Sequence, residues 1–133
     1  MIRILIVDDN TLMRKMLKQL IETEGDTRVM GEAGSIEEAL EILNREDFDV
    51  ILADISLQGR EGGIQLIRSI RTLGKTTPVL SVSLHEQSLY EETLREAGAQ
   101  GYLMKQDAVE NLLPAIRQLH AGGVYWTASV GRK

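Results

Sequence analysis

The sequence predicts an α/β domain: a (βα)5 doubly wound, parallel five-stranded sheet covered by helices. Two observations carry that prediction. Short apolar runs of strand length, rich in β-branched residues, alternate along the chain with segments whose apolar residues recur at three- and four-residue spacing. Buried strands joined by helical crossovers must lie parallel, with helices on both faces of the sheet.

The elements follow in order. Ile2 to Val7 reads as a buried strand stopped by Asp8-Asp9-Asn10. From Thr11 two rows, Leu12/Met16/Leu20 and Met13/Leu17/Ile21, make a helix closed by Gly25. Arg28 to Ala33 is a weaker strand, and Ser35-Ile36-Glu37-Glu38 is a capping box opening the second helix, which turns Ala39, Leu40, Ile42 and Leu43 inward. Asp49 to Asp54 holds the third strand. After a loop containing Gly59, Gly62 and Gly63, Ile64, Leu66, Ile67 and Ile70 mark the third helix. Pro78 to Ser83 is the fourth strand, its proline at the entry, where no ladder bond is lost. A helix over about 86–97 is stopped by Gly98, and Gly101 to Met104 is a short fifth strand. Asp107 to Glu110 has an Asp-x-x-Glu start for a fifth helix ending near Gly122-Gly123. Pro114 falls inside it, so either a bend or a later start is expected. Residues 1–122 form the domain, and 123–133 a tail or the start of a linker.

Composition removes several function classes. The chain of 133 residues carries fifteen Lys and Arg against twenty Asp and Glu, a formal charge of −5. Phosphate neutralisation needs a basic surface, so direct binding of nucleic acid is not expected. With no cysteine, disulfides, thiolate metal sites and Cys nucleophiles are out. No apolar stretch approaches the roughly 20 residues that cross a bilayer, and the N-terminus lacks a signal peptide's core, so a cytoplasmic location is expected.

In an open parallel sheet the functional crevice lies beyond the carboxyl ends of the strands, where strand order reverses. The residues ending strands one, three, four and five are Asp8 with Asp9, Asp54, Ser83 and Lys105. Two unit charges about 4.5 Å apart at an effective dielectric near 20 repel by roughly 4 kcal/mol. Three converging carboxylates must therefore bind protons, pair with cations or hold a metal. An all-oxygen set suits a hard ion, and Mg²⁺ (or Mn²⁺) fits where phosphate is handled. A carboxylate, a divalent ion, an ammonium and a hydroxyl are the parts phosphoryl transfer uses.

These residues give the chain its resemblance to the receiver domain of two-component response regulators: Asp8-Asp9, Asp54, Ser83, and Lys105 after Gly101-Tyr102-Leu103-Met104. The likeness covers about residues 1 to 122. Its finer form, to regulators of the NarL/FixJ type that end in a LuxR-type helix-turn-helix, rests on Ser83-Leu84-His85-Glu86, Gly98-Ala99-x-Gly101-Tyr102-Leu103-x-Lys105, Leu112-Leu113-Pro114-Ala115-Ile116-Arg117 and Gly122-Gly123. The resemblance implies a flavodoxin-like strand order 2-1-3-4-5 and a signalling switch that catalyses only its own phosphorylation and dephosphorylation. It implies Asp54 as phosphoacceptor. Asp9 and Asp54 would ligate Mg²⁺ together with the Ser56 backbone carbonyl, and Asp8 would act through a bound water. Ser83 and Lys105 would contact the acyl phosphate. Ser83 is preferred to Ser81 because it ends the strand and lies 22 positions before Lys105. Tyr102 would turn inward as Ser83 is drawn to the phosphate, altering the surface of helix four, strand five and helix five. The implied partners are a histidine kinase, the chain's own helix-turn-helix output domain, and a second copy on phosphorylation.

Some features depart from the resemblance or stand outside it. The loop Leu57-Gln58-Gly59-Arg60-Glu61-Gly62-Gly63 lacks the proline of the usual Met-Pro-Gly-Met-Asp-Gly and adds a glycine, so greater mobility is expected. Gln106 replaces the proline that often follows the lysine. The first helix's apolar band is about 180° wide, against the roughly 100° stripe a helix on a sheet needs. Contact with the fifth helix explains it, or a docking surface for a kinase on which Met13 and Leu17 are most exposed. His85 is either an exposed loop residue or a group tuning the access of hydrolytic water, and Trp126 is read as packing for a tail or interdomain contact. Two rivals remain. An aspartate-nucleophile phosphatase would need Asp-x-Asp where Asp8-Asp9-Asn10 stands, and a flavin-type cofactor binder would need a Ser/Thr/Gly-rich loop after the first strand.

Overall fold

In the computed structural model, which describes residues 1–59, 61–84 and 87–126, each apolar run forms a strand and each periodic segment a helix. The strands are β1 (Ile2–Val7), β2 (Thr27–Ala33), β3 (Val50–Ala53), β4 (Val79–Ser83) and β5 (Gly101–Met104), followed by a two-residue β6 (Tyr125–Trp126). The helices are α1 (Thr11–Ile21), α2 (Ile36–Arg45), α3 (Gly62–Thr72), α4 (Gln87–Ala97) and α5 (Ala108–His120). All strands are parallel, in the order β2-β1-β3-β4-β5-β6. The expected order 2-1-3-4-5 is thus present, with one short strand added beyond β5.

Side-chain alternation divides the sheet's apolar residues between two cores. Leu5, Val7, Ile51, Ala53, Val79 and Tyr102 pack on one face against Leu43 of α2, Leu66 and Ile67 of α3, and Leu94 of α4. Ile4, Ile6, Leu52, Leu80, Val82 and Leu103 pack on the other against Leu17 and Ile21 of α1 and Leu112, Ile116 and Leu119 of α5. Continuous Ile/Leu/Val runs are what a strand covered on both sides requires.

Local chemistry sets the helix ends, in three places differently from expectation. Asn10 caps α1 by accepting the Met13 N–H at 2.9 Å. The helix ends at Ile21 with Glu22 as its C-cap, so Gly25 lies in the following turn rather than at the cap. Ser35 accepts the Glu38 N–H as the capping box predicts, and Glu38 reaches back to the N–H of Gly34, one residue beyond the box. Asp107 makes no side-chain cap; a 3-10 turn over Lys105–Asp107 leads into α5 instead. α5 runs through Pro114 without a late start. Pro114 is exposed, so water can solvate the carbonyl it leaves unbonded, while buried Leu112, Ala115, Ile116 and Leu119 hold the helix down.

α1 corrects a further expectation. Leu17 is 2% exposed and Met13 is half-buried, whereas Leu12 is 67% and Met16 49% exposed. The helix turns its Met13/Leu17/Ile21 row onto the sheet and α5, and leaves part of the other row in solvent. The broad apolar band is therefore partly core and partly surface.

The chain beyond α5 extends the sheet. Tyr125 donates its N–H to the Gln100 carbonyl at 2.9 Å, and the Gln118 side chain donates to the Val124 carbonyl at 2.6 Å. A Cβ on Gly101 would stand 2.7 Å from the Tyr125 carbonyl oxygen, so the glycine is what lets β6 approach. Trp126 packs on the first core and stacks on the Arg95 guanidinium at 4.3 Å. His85 and residues 127–133 lie outside the described residues, as does Arg60 of the 57–63 loop.

Ser81 carries the one buried side-chain polar atom without a hydrogen-bond partner among the described residues. A buried, unpaired hydroxyl costs about 1–3 kcal/mol. Ser81→Ala should therefore raise the unfolding free energy, by about 1 kcal/mol, as read from urea denaturation at constant m-value.

Candidate functional site: an acidic cluster at the switch point

The chain leaves β1 toward β2 on one side of the sheet and leaves β3 toward β4 on the other, so strand order reverses between β1 and β3. Val7 and Ala53 are paired in register, and the next residue on each strand is a carboxylate. That register alone sets Asp8 beside Asp54. Their N–H groups continue the ladder, Asp8 donating to the Ala33 carbonyl and Asp54 to that of Val7. Asp9, one residue on, turns over the rim.

Carboxylate oxygens of Asp8, Asp9 and Asp54 all lie within 4.8 Å of one another. Asp8 and Asp54 are buried, and Asp9 is exposed. Lys105, brought in from the end of β5, places its Nζ 3.0 Å from Asp8 Oδ2 and 3.4 Å from Asp54 Oδ2. Backbone N–H groups orient each acid: Asn10 donates to Asp8 Oδ1 at 2.9 Å, Ser56 to Asp54 Oδ1 at 3.1 Å, and Gln58 to Asp9 Oδ2 at 3.0 Å. Burial pushes the Asp54 carboxyl above its usual value. The Lys105 charge and the Ser56 N–H pull it back, and the Asp8 charge adds to the rise.

The cluster fits a hard divalent cation. Its donors are oxygens only, and one ammonium against three carboxylates leaves two negative charges uncompensated.

Ser83 ends β4 fully buried. Its hydroxyl lies near the phenol of Tyr102 and moderates that group's pKa; Tyr102 is itself fully buried, and its phenol is pushed up to about 12, chiefly by burial. Asp54 lies close enough to raise that phenol further. The ring expected to move inward thus sits inward here, coupled to the hydroxyl at the end of β4. Ser81, the alternative on the same strand, pairs across to the Tyr102 backbone and makes no side-chain hydrogen bond.

The loop after β3 closes over the site. A Cβ on Gly63 would fall 2.2 Å from the Asp54 carbonyl oxygen, and one on Gly62 2.3 Å from that of Leu57. These glycines are therefore obligatory for the close approach of α3 to the end of β3. Gln58 was not singled out by sequence reasoning: no residue-type pattern marks a backbone N–H as a carboxylate donor.

A doubly wound sheet with a carboxylate cluster and a lysine at its switch point defines a class of phosphate-handling signalling domain. Residues 4–117 match the model of the response regulator receiver domain, and the chain belongs to that family. It is 37% identical over 115 residues to the nitrate/nitrite response regulator protein NarP of Escherichia coli (strain K12), an alignment covering 86% of this chain and 53% of that protein. The chain spans about half the length of such curated relatives. Among solved structures, a LuxR-family two-component response regulator from Aurantimonas sp. SI85-9A1 superposes with a TM-score of 0.88 at 31% identity, covering 93% of this chain and 88% of that one. A CheY-like receiver domain protein from Methanospirillum hungatei JF-1 gives 0.80 at 30% identity, covering 92% and 95%. No helix among the described residues is long and apolar enough to cross a membrane.

A raised Asp54 favours the protonated folded state, so that carboxyl's contribution to stability is present at low pH and lost as pH rises through its folded pKa. In metal-free buffer at neutral pH, Asp54→Asn should melt higher than the parent. The gap should close as the buffer is acidified, and differential scanning calorimetry across pH reads both.

Proposed function

We propose that this chain accepts a phosphoryl group from a histidine kinase onto Asp54 and transmits the change through the α4-β5-α5 surface to a DNA-binding output domain. The observation that carries this reading is the meeting of Asp8, Asp9, Asp54 and Lys105 at one rim. An Asp54 carboxylate oxygen attacks phosphorus, and the bond from phosphorus to the kinase imidazole nitrogen breaks. Its electron pair leaves with the ring, which takes up a proton. Water later cleaves the acyl phosphate, returning the carboxylate and inorganic phosphate. The domain therefore acts on itself and does not turn over an external substrate.

Lys105, already against Asp54, pairs with the transferred group, and Ser83 hydrogen-bonds it. Asp9 and Asp54, with the Ser56 backbone carbonyl, would hold Mg²⁺ (or Mn²⁺), with Asp8 acting through a bound water. When bound, the ion neutralises charge on the phosphoryl oxygens. A serine hydroxyl has one donor and two acceptor sites, so Ser83 can answer both Tyr102 and a phosphoryl oxygen. That makes the pair a mechanical link from the acceptor to β5. We place the protein in the cytoplasm, where a kinase would meet it, with a helix-turn-helix beyond residue 133 and dimerisation on phosphorylation as its output.

Asp54→Asn should abolish Mg²⁺-dependent labelling by a small phosphodonor such as acetyl phosphate, followed by phosphate-affinity electrophoresis. Labelling that survives would place the acceptor elsewhere.

The kinase would dock on α1 and the start of α5. Leu12, Met16 and Val109 are exposed there at 67%, 49% and 77%, and Met16 and Val109 line a recess of about 310 Å³ with Leu20. Replacing Leu12 and Met16 by alanine should slow transfer from the kinase by tenfold or so, the equivalent of about 1.4 kcal/mol, and leave acetyl phosphate labelling unchanged. Equal slowing of both would reject this docking face.

A further inference from the structure

Gln58 is the only non-glycine residue with positive φ among the described residues, at φ 60° and ψ 29°. L-residues other than Gly, Asn and Asp seldom enter that region unless the surroundings hold them there. Two bonds do the holding. The Gln58 side-chain oxygen accepts the Ile36 N–H at 2.8 Å, and the Gln58 N–H donates to Asp9 Oδ2 at 3.0 Å. Ile36 is the first residue of α2, where N–H groups have no partner within the helix. Three loops that follow β1, β2 and β3 are thus tied together at one residue.

The bond from Gln58 is the only hydrogen bond to the Asp9 carboxylate among the described residues. Asp8 and Asp54 are also gripped by Lys105, whereas Asp9 is exposed and lies outside that pair of contacts. Of the three acids, Asp9 depends most on a single donor for its orientation.

We propose that Gln58 is a positioning residue for the cation site: its side chain, anchored on the first turn of α2, locks a left-handed backbone whose N–H fixes the Asp9 carboxylate. This inference rests on the metal-binding reading above and adds to it the donor that orders the exposed ligand. A proline at this position could neither adopt φ 60° nor donate, so the absence of proline at position 58 is a requirement of the local geometry.

Calorimetric titration of the metal-free protein with MgCl2 tests it, with melting in EDTA as the check on folding. Loss of an outer hydrogen bond to a ligand typically weakens metal binding by 10- to 100-fold. Gln58→Pro should weaken Mg²⁺ binding by about tenfold. Gln58→Gly, which keeps both the N–H and the left-handed backbone, should stay close to the parent. Ile36→Pro removes the anchor at a helix position that tolerates proline, and should fall between the two. Parental affinity in both proline variants overturns the proposal, as does a loss in Gln58→Gly equal to that in Gln58→Pro. A parent that binds no Mg²⁺ overturns the metal reading itself, a result distinct from unchanged affinity in the variants.

Discussion

Repulsion between carboxylates held together at the end of a sheet is the constraint around which this domain is organised. The register of β1 against β3 brings Asp8 and Asp54 together whether or not their charges favour it. Two unit charges about 4.5 Å apart repel by roughly 4 kcal/mol at an effective dielectric near 20, and by less where one of them, like Asp9, faces water. Apolar burial on both faces supplies the opposing force. A fully buried Ile or Leu contributes about 1.5–3 kcal/mol, and β1 alone buries Ile4, Leu5 and Ile6 completely. The sheet can therefore carry a strained rim, and Lys105 and three backbone N–H groups reduce the strain without removing it.

The unbalanced charge explains why so many elements converge on one place. Lys105 comes from the end of β5, two strands away from β3. Its ammonium spans Asp8 and Asp54, so any group that alters the charge on Asp54 alters the pull on the end of β5. Ser83 and Tyr102 lie near one another on the paired strands β4 and β5 a short distance away. Tyr102 is in turn the register partner of Trp126, whose ring lies on Arg95 of α4. Packed contacts thus run from the acidic rim to the outermost strand.

The layered fold and the four rim positions were legible because they depend on side-chain type and order. Apolar continuity gave the strands, and the rule that crevices lie past strand ends picked out Asp8, Asp9, Asp54, Ser83 and Lys105. What was not legible depended on orientation or on the backbone. Periodicity found the broad apolar band of α1 but not its rotation, which is set by contact with α5 and buries Leu17 instead of Leu12. Pro114 looked like an interruption because its exposure, which makes the lost hydrogen bond tolerable, is a tertiary fact. β6 is two residues long and carries no pattern of its own; it forms because Gly101 leaves room and the Gln100 carbonyl awaits a donor. Gln58 reaches Asp9 through its main-chain N–H and Ile36 through its side chain, partners that only the folded chain brings together.

The loop after β3 shows how such a departure can be accommodated. Gly62 and Gly63 let α3 close to van der Waals distance of the end of β3, and buried Leu57 anchors the loop from beneath. Those contacts fix the position of the loop but not the direction of its N–H groups. The Gln58–Ile36 bond fixes the direction, and a helix N-terminus suits that task because its first N–H groups lack partners of their own. Rigidity that a proline would supply by covalent restriction of φ is supplied here by a side-chain bond across 22 residues. The exchange has a chemical consequence: the main chain keeps a donor at the one point where the exposed carboxylate can use it.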